Sequence, residues 1–200
     1  MRVPNAVHGE GSWVMSAIAP DFRLMDVWEL PACGTREQFG DFLEAMASFD
    51  VTSEGSAASR FLFWLRLRLG DLLGWEDGKA RPIPGCTETS LVERLPAELR
   101  GTAQTPQLNP VMQEAAGGFQ PLFRTDDEWA AEISNATVHG VMQLTWVPAG
   151  GSWRAHMAVY VKPRGLLGGA YLKLIDPFRH TIVYPSLLKQ VGRRWEARTA

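Results

Sequence analysis

The chain contains little of what marks several classes of protein. It has two cysteines, Cys33 and Cys86, in 200 residues, and neither has a partner at redox-motif or metal-ligand spacing. We therefore expect both thiols to be reduced. The four histidines include no pair at the spacing that zinc sites use. The sequence thus predicts no metal site and no cofactor.

A strong charge imbalance and a long apolar run are also absent. The formal net charge of −2 offers no basic field for nucleic acid or anionic membranes. The longest strongly apolar stretch, residues 61–75, is interrupted by charged residues and is shorter than the ~20 residues of a membrane-spanning helix. Residues 1–20 contain no secretory signal pattern. We expect a cytoplasmic protein without nucleic-acid partners or membrane insertion, and its protein partners stay open.

What is present is an ordinary globular composition, with 46% hydrophobic and 21% charged residues. A chain of this length buries one large core, so we predict a single domain over residues 1–200. Residues 1–20 are rich in small residues and are predicted to form an extended N-terminal arm.

The next segments alternate between regular patterns and breaks. Residues 21–30 alternate between apolar and polar positions, which predicts a strand. Its apolar face consists of Phe22, Leu24, Trp28 and Leu30. Thr35 and Gln38 have capping-box spacing, so a helix is expected to begin there. A small-residue linker at 53–58 precedes a run at 61–74 that fits a helix better than a strand.

Residues 77–118 contain five prolines and several glycines. That composition is typical of loops, with one helical turn expected around residues 91–99. An irregular insertion of this length is either a flap over a pocket or a mobile segment.

The C-terminal part has the texture of successive hairpins followed by a helix. The predicted strands are Phe119–Arg124, Glu128–Ile133, Val138–Val147 and Trp153–Val161. A long helix is expected over 166–195, kinked or broken at Pro177 or Pro185, because each proline removes a backbone donor. Its polar side carries Lys173, Asp176, Arg179 and His180.

Four segments resemble an uncharacterised bacterial family, a domain of unknown function, of the START-like, helix-grip superfamily (SRPBCC, polyketide cyclase-like). They are APDFRLMDVWELP at 19–31, TDDEWAAEISNATVHGVMQLTWV at 125–147, MAVYVKPRGLLGGAYLKLIDPFRH at 157–180 and IVYP at 182–185. The resemblance implies an α+β fold in which a curved antiparallel sheet packs on a long C-terminal helix around a cavity. The superfamily includes lipid and hormone carriers, polyketide cyclases and binding domains of oxygenases. Asp176 stands where a lysine is expected, which argues against a role for positive charge at that position.

The candidate site lies between the helix-facing side of the last two strands and the terminal helix. We predict that it is lined by Met142, Trp146, Met157, Val159, Tyr171, Leu174 and Phe178. These side chains form either a filled core or a ligand cavity, since methionine and aromatic stripes suit both. Tyr171 is the polar group that the helical period places on this face.

Other polar residues are expected to lie outside the cavity. Alternation places His139 and His156 on the opposite side of their strands, where each is expected to be solvated or to have its hydrogen bonds satisfied at a sheet edge. Asp176 and His180 are four residues apart, as in an exposed ion pair. Residues 126–128 form a polar hairpin turn.

The resulting hypothesis is a non-catalytic domain that binds a small apolar molecule between sheet and helix, because few ionisable groups face inward. One alternative is an enzyme of the cyclase or dehydratase kind, in which His156, His139 or an acid from 77–118 reaches the cavity. The other is an interaction protein with a filled core.

Overall fold

The computed structural model describes residues 1–47, 81–103 and 119–199. The predicted linker and helix at 53–74, and residues 77–80 and 104–118 of the predicted insertion, lie outside these ranges. The strands are β1 (Arg2–Val3), β2 (Arg23–Gly34), β3 (Gln120–Arg124), β4 (Glu128–Ser134), β5 (Val138–Ala149) and β6 (Ser152–Pro163). The α-helices are α1 (Asn5–Gly9), α2 (Val14–Ile18), α3 (Phe39–Ala47), α4 (Gly165–Phe178) and α5 (Tyr184–Thr199), with 3₁₀ turns at Arg36–Gln38, Leu91–Arg94 and Ala97–Leu99.

The described strands form one curved, six-stranded antiparallel sheet in the order β1-β2-β6-β5-β4-β3. The predicted succession of hairpins and the α+β class are confirmed. Gly150 and Gly151 close the hairpin between β5 and β6 with φ of 58° and 90°. Two successive positive φ angles are what a tight two-residue hairpin requires, and glycine adopts them without steric cost.

A first β-bulge in β2 changes which face of the sheet the following side chains point to. Leu24 pairs with Tyr160, whereas Asp26 pairs with the next residue of β6, Val159. Met25 is therefore the extra residue of a bulge, which reverses the alternation. The single apolar face expected for this strand is wrong: Leu24 packs with Tyr160 on one side, and Asp26 lies on the other.

A second irregularity, between Glu29 and Cys33, carries the strand past its predicted end at Leu30. Pro31 lies within it, where a missing backbone donor is tolerated. The helix after the strand begins as predicted, with the Thr35 amide donating to Gln38 Oε1 at 2.8 Å.

One face of the sheet, called the helix side here, packs on α3 and α5. Its centre is an aromatic cluster in which Trp146 lies 5.6–6.2 Å, centroid to centroid, from the rings of Phe39, Phe42 and Trp195. Buried aromatic side chains each remove a large apolar surface from water, so this cluster contributes strongly to stability.

The other face, called the N-terminal side, is covered by residues 1–22 and 81–103. Its core includes Met15, Ile18, Phe22, Ile83, Leu91 and Leu95. The extended arm expected at 1–20 is wrong, since this segment forms β1, α1 and α2. Its apolar residues gain burial by packing on the sheet. Residues 81–103 of the predicted insertion join the same layer, with 3₁₀ turns where one helical turn was expected.

The C-terminal helix is interrupted between its two prolines. α4 contains Pro177 and ends at Phe178, a π-helical segment occupies Arg179–Val183, and α5 begins at Tyr184. A π-helical segment often marks a functional site. Within the described ranges, no helix combines the length and hydropathy needed to cross a bilayer.

Candidate functional site

The site centres on Asp26, which is 1% exposed and directly follows the first bulge of β2. Its Oδ1 accepts a hydrogen bond from His180 Nε2 at 2.8 Å and lies 3.5 Å from Nη2 of Arg2. Its Oδ2 accepts from Arg179 Nη2 at 2.6 Å and from the Tyr184 hydroxyl at 3.2 Å. A carboxylate offers about four acceptor positions, and Asp26 uses three of them for hydrogen bonds and has an ion pair with Arg2 beside it.

The π-helical segment sets the orientation of His180. The Asp176 carbonyl lies 2.9 Å from His180 Nδ1, and a carbonyl only accepts, so Nδ1 carries a proton. Nε2 faces the Asp26 carboxylate and donates to it in turn. The sequence predicted an exposed Asp176–His180 ion pair, and this describes only part of the arrangement. The Asp176 carboxylate lies 3.8 Å from His180 Nδ1, but His180 is half-buried and also contacts Asp26.

Tyr184 acts as a neutral hydrogen-bond donor in this cluster. Burial is the largest cause that raises the pKa of Tyr184 to about 12, although the Arg179 guanidinium opposes the shift. Arg179 also donates to the Tyr184 hydroxyl and stacks over its ring. The phenol thus keeps its proton at neutral pH and helps to fix the guanidinium beside Asp26.

Trp28 adds an unpaired donor next to the cluster. Its indole lies 4.8 Å, centroid to centroid, from the ring of Tyr184 and 6.1 Å from that of His180. The indole Nε1 is buried and has no hydrogen-bond partner among the described residues. Buried donors are nearly always satisfied in folded proteins, so this N–H is one that a water molecule or a bound group would complete.

An open pocket of about 300 Å³ adjoins the cluster through Arg2. Its lining within the described residues is Arg2, Val3, Pro4 and Asn5. Asn5 Nδ2 donates to the Leu24 carbonyl at 3.0 Å, which holds this segment against the bulge in β2. The pocket therefore contacts both sides of the bulge, since Arg2 lies beside Asp26 and Asn5 binds Leu24.

Two of the sequence-predicted site residues lie in the filled part of the helix side. Trp146 is fully buried in the aromatic cluster, and its indole donates to the Thr35 carbonyl at 2.8 Å. Met157 is buried in the same core. Met142 and Val159, which pair across β5 and β6, are only partly buried on this face.

The helical members of the predicted set are placed differently. Leu174 is 67% exposed and Phe178 is 44% exposed, so the structure does not enclose either side chain between helix and sheet. The Tyr171 side chain lies outside what the structure describes. A ligand-binding role for the seven residues stays a prediction.

The N-terminal side buries a first chain of hydrogen-bonded polar side chains. It begins at Glu128, which the sequence had placed in a hairpin turn. The Glu128 carboxylate accepts from the amides of Val14 and Met15 at 2.7 and 3.1 Å, and thereby caps α2. It also accepts from Gln143 Nε2 at 2.7 Å, and Gln143 Oε1 lies 2.9 Å from His8 Nε2. Burial raises the pKa of Glu128 and lowers that of His8.

A second chain joins Glu132 and His139. The Glu132 carboxylate accepts from the Leu91 amide at 3.0 Å and from the Ser90 hydroxyl, and lies 2.9 Å from His139 Nε2. The expectation that His139 is solvated is wrong, because residues 1–22 and 81–103 cover this face and leave it 0% exposed. His156 is half-buried on the same face, and burial lowers its pKa.

The fold and the site define an α+β protein with a covered antiparallel sheet, whose C-terminal helix presents a basic, aromatic cluster to a buried aspartate. The chain belongs to the DUF2867 family, described as proteins of unknown function, whose model matches residues 18–186. The matched region includes Asp26 and the π-helical segment. No curated protein and no solved structure matches the chain.

Proposed function

We propose that this protein is a helix-grip, START-like domain that binds a small, mostly apolar molecule on the helix side of its sheet. The observation that carries the proposal is the arrangement around Asp26. Partly exposed apolar side chains lie on the same face as a fixed polar cluster, and that cluster adjoins a pocket of about 300 Å³. Small-molecule sites commonly combine an apolar lining with a few well-placed polar groups in a volume of at least this size.

The apolar part of the proposed site is the sheet surface beyond the aromatic core. Met142, Val159 and Trp28 pack on that core but keep part of their surface accessible. Methionine adapts its shape to irregular ligands. The aromatic end around Trp146 is filled, so we place the ligand at the end of the sheet nearer Asp26.

The polar part favours binding over catalysis. The Asp26–His180 pair is the kind of ordered titratable pair that an enzyme would need. Both ring nitrogens of His180 are engaged, however, and neither is free to accept a proton from a substrate. Tyr184 holds its proton, with a pKa of about 12. We therefore propose a fixed recognition cluster and no acid–base catalysis.

The same proposal places the protein in the cytoplasm. Cys33 and Cys86 are both free thiols in the structure. Free thiols suit a reducing compartment.

Titration with octanol, a neutral apolar probe, tests the binding function. Calorimetry and the urea midpoint are measured for the wild type and for Val159→Phe, which fills the proposed site. The probe should raise the wild-type midpoint, because a ligand that binds the folded state alone stabilises it, and the variant should lose this response.

Val92→Phe is the control, since Val92 is an exposed residue of the opposite layer. It should keep the wild-type response. If octanol neither binds nor stabilises the wild-type protein, the proposed function is wrong.

A further inference from the structure

We infer that the molecule bound at the Asp26 site carries a carboxylate, or a similar anionic acceptor, at one end of its apolar body. This inference rests on the proposed function and specifies its ligand class. It follows from a hydrogen-bond donor in the cluster that is unpaired within the described part of the chain, the indole N–H of Trp28, and from the exposed guanidinium of Arg2 at the pocket.

The cluster contains a hydrogen-bond donor that its buried acceptor does not serve. Asp26 accepts from His180, Arg179 and Tyr184 and has Arg2 beside it. The indole N–H of Trp28 remains without an acceptor among the described residues. A neutral apolar ligand would leave that donor unsatisfied, at a cost typical of a buried, unpaired N–H group.

The charges of the cluster also favour an anionic ligand. The guanidinium groups of Arg2 and Arg179 both lie beside Asp26, and the Arg2 side chain is exposed. An anionic group would pair with the exposed guanidinium of Arg2. A cationic ligand would meet it as a like charge, and like charges in a partly buried site repel one another strongly.

Arg2 connects the Asp26 cluster to the pocket. Its side chain is 59% exposed, lies 3.5 Å from Asp26, and lines the pocket of about 300 Å³. Arginine presents several N–H donors in a plane that matches a carboxylate. The guanidinium therefore has donors available for an anion while it remains beside Asp26.

Calorimetric titration of the full chain with octanoate, octanol and octylamine tests the inference, since these probes share one apolar body. The wild type should bind octanoate about tenfold or more tightly than octanol, because a hydrogen bond to a charged acceptor is among the stronger ones. Octylamine should bind most weakly.

Two variants locate the effect. Trp28→Phe removes the indole N–H and keeps an aromatic ring, and Arg2→Gln removes an exposed charge, so neither deprives Asp26 of its buried partners. Each should reduce octanoate affinity several-fold and reduce octanol affinity by a smaller factor. Trp153→Phe, at the far end of β6, is the matched control and should leave both affinities unchanged.

The outcomes separate the inference from the proposed function. Equal affinities for octanoate and octanol would overturn the anionic ligand class and leave apolar binding intact. A loss in Trp28→Phe that is equal for the two probes would overturn the role of the indole N–H. Binding of none of the probes would refute the proposed function, and the inference with it.

Discussion

The two faces of the sheet are stabilised by different interactions. The helix side has a core of aromatic and aliphatic side chains, centred on Trp146. The N-terminal side combines an apolar core with buried polar groups, and two glutamates of β4 accept hydrogen bonds from amides at the start of α2 and of the 3₁₀ turn at Leu91–Arg94. Packing is tolerant of direction, whereas a buried carboxylate requires donors at fixed positions. The hydrogen bonds to Glu128 and Glu132 therefore fix where the covering layer lies on the sheet, and they contribute more to its position than to its stability.

The largest expected effect tests the helix side. Trp146→Ala should lower the free energy of unfolding by about 3–5 kcal/mol, because it deletes aromatic contacts and leaves a void beside Phe39, Phe42 and Trp195. Urea denaturation at constant pH measures this. A loss below about 1 kcal/mol, as for a surface substitution, would show that the aromatic cluster is not a filled core.

A smaller effect tests the N-terminal side. Glu132→Ala leaves the Leu91 amide and His139 without their acceptor, and should destabilise the protein by about 1–3 kcal/mol. Hydrogen exchange should show that protection is lost first at the Leu91 amide, before the helix side.

Glu132→Gln is the matched control for that variant. It keeps an acceptor oxygen in nearly the same shape, and its cost should be smaller. Equal costs for the two variants would contradict the view that acceptor geometry holds the layer in place.

The smallest expected effect is a pH dependence confined to the N-terminal side. Burial lowers the pKa of His8 from its ordinary value of 6.5, against the opposing hydrogen bond to Gln143. The unfolded chain therefore takes up the proton first, so stability falls as the pH drops below about 6.5 and levels off below the folded-state pKa. The slope is at most about 1.4 kcal/mol per pH unit for one histidine.

His8→Gln isolates this contribution from those of other titrating groups. His156 is shifted in the same direction by burial, and Glu128, whose pKa burial raises, acts in the opposite direction at lower pH. The difference in urea midpoint between wild type and His8→Gln should narrow as the pH falls from about 7.5 to about 5.5. A constant difference would exclude His8 as a source of acid sensitivity.

Local chemistry explains which elements could be predicted from the sequence. The hairpins of β3 to β6 follow from period-two alternation and from turns such as Gly150-Gly151. The helix start at Thr35 follows from a contact with Gln38, three residues away. Each of these signals is contained within a few residues, so no knowledge of the rest of the fold was needed.

The errors involve residues that are distant in sequence. His139 lies on a polar-looking face that only the packing of residues 1–22 and 81–103 buries. One signal was present: β4 carries Glu128 and Glu132 among apolar residues on both of its faces, which indicates a strand buried on both sides. A glutamate in such a strand needs a fixed partner, and the covering segments supply it.

The candidate site was only partly foreseen. The helix side was anticipated, but Asp26 was not, because the bulge at Met25 cannot be read from alternation. Arg179 and His180 fall on the polar side of a regular helix. The π-helical segment turns them toward the aspartate instead.

The contacts of Asp26 also constrain the order of events during synthesis. Its partners on the C-terminal helix lie 153 to 158 residues further along the chain. A ribosome adds roughly 5–20 residues per second, so these partners emerge on the order of ten seconds after the aspartate. Until then the carboxylate remains a hydrated charge on an unfinished sheet, and contacts of such long range form slowly. The Asp26 cluster is thus among the last parts of the molecule to form, because it is complete only after Tyr184 has been synthesised.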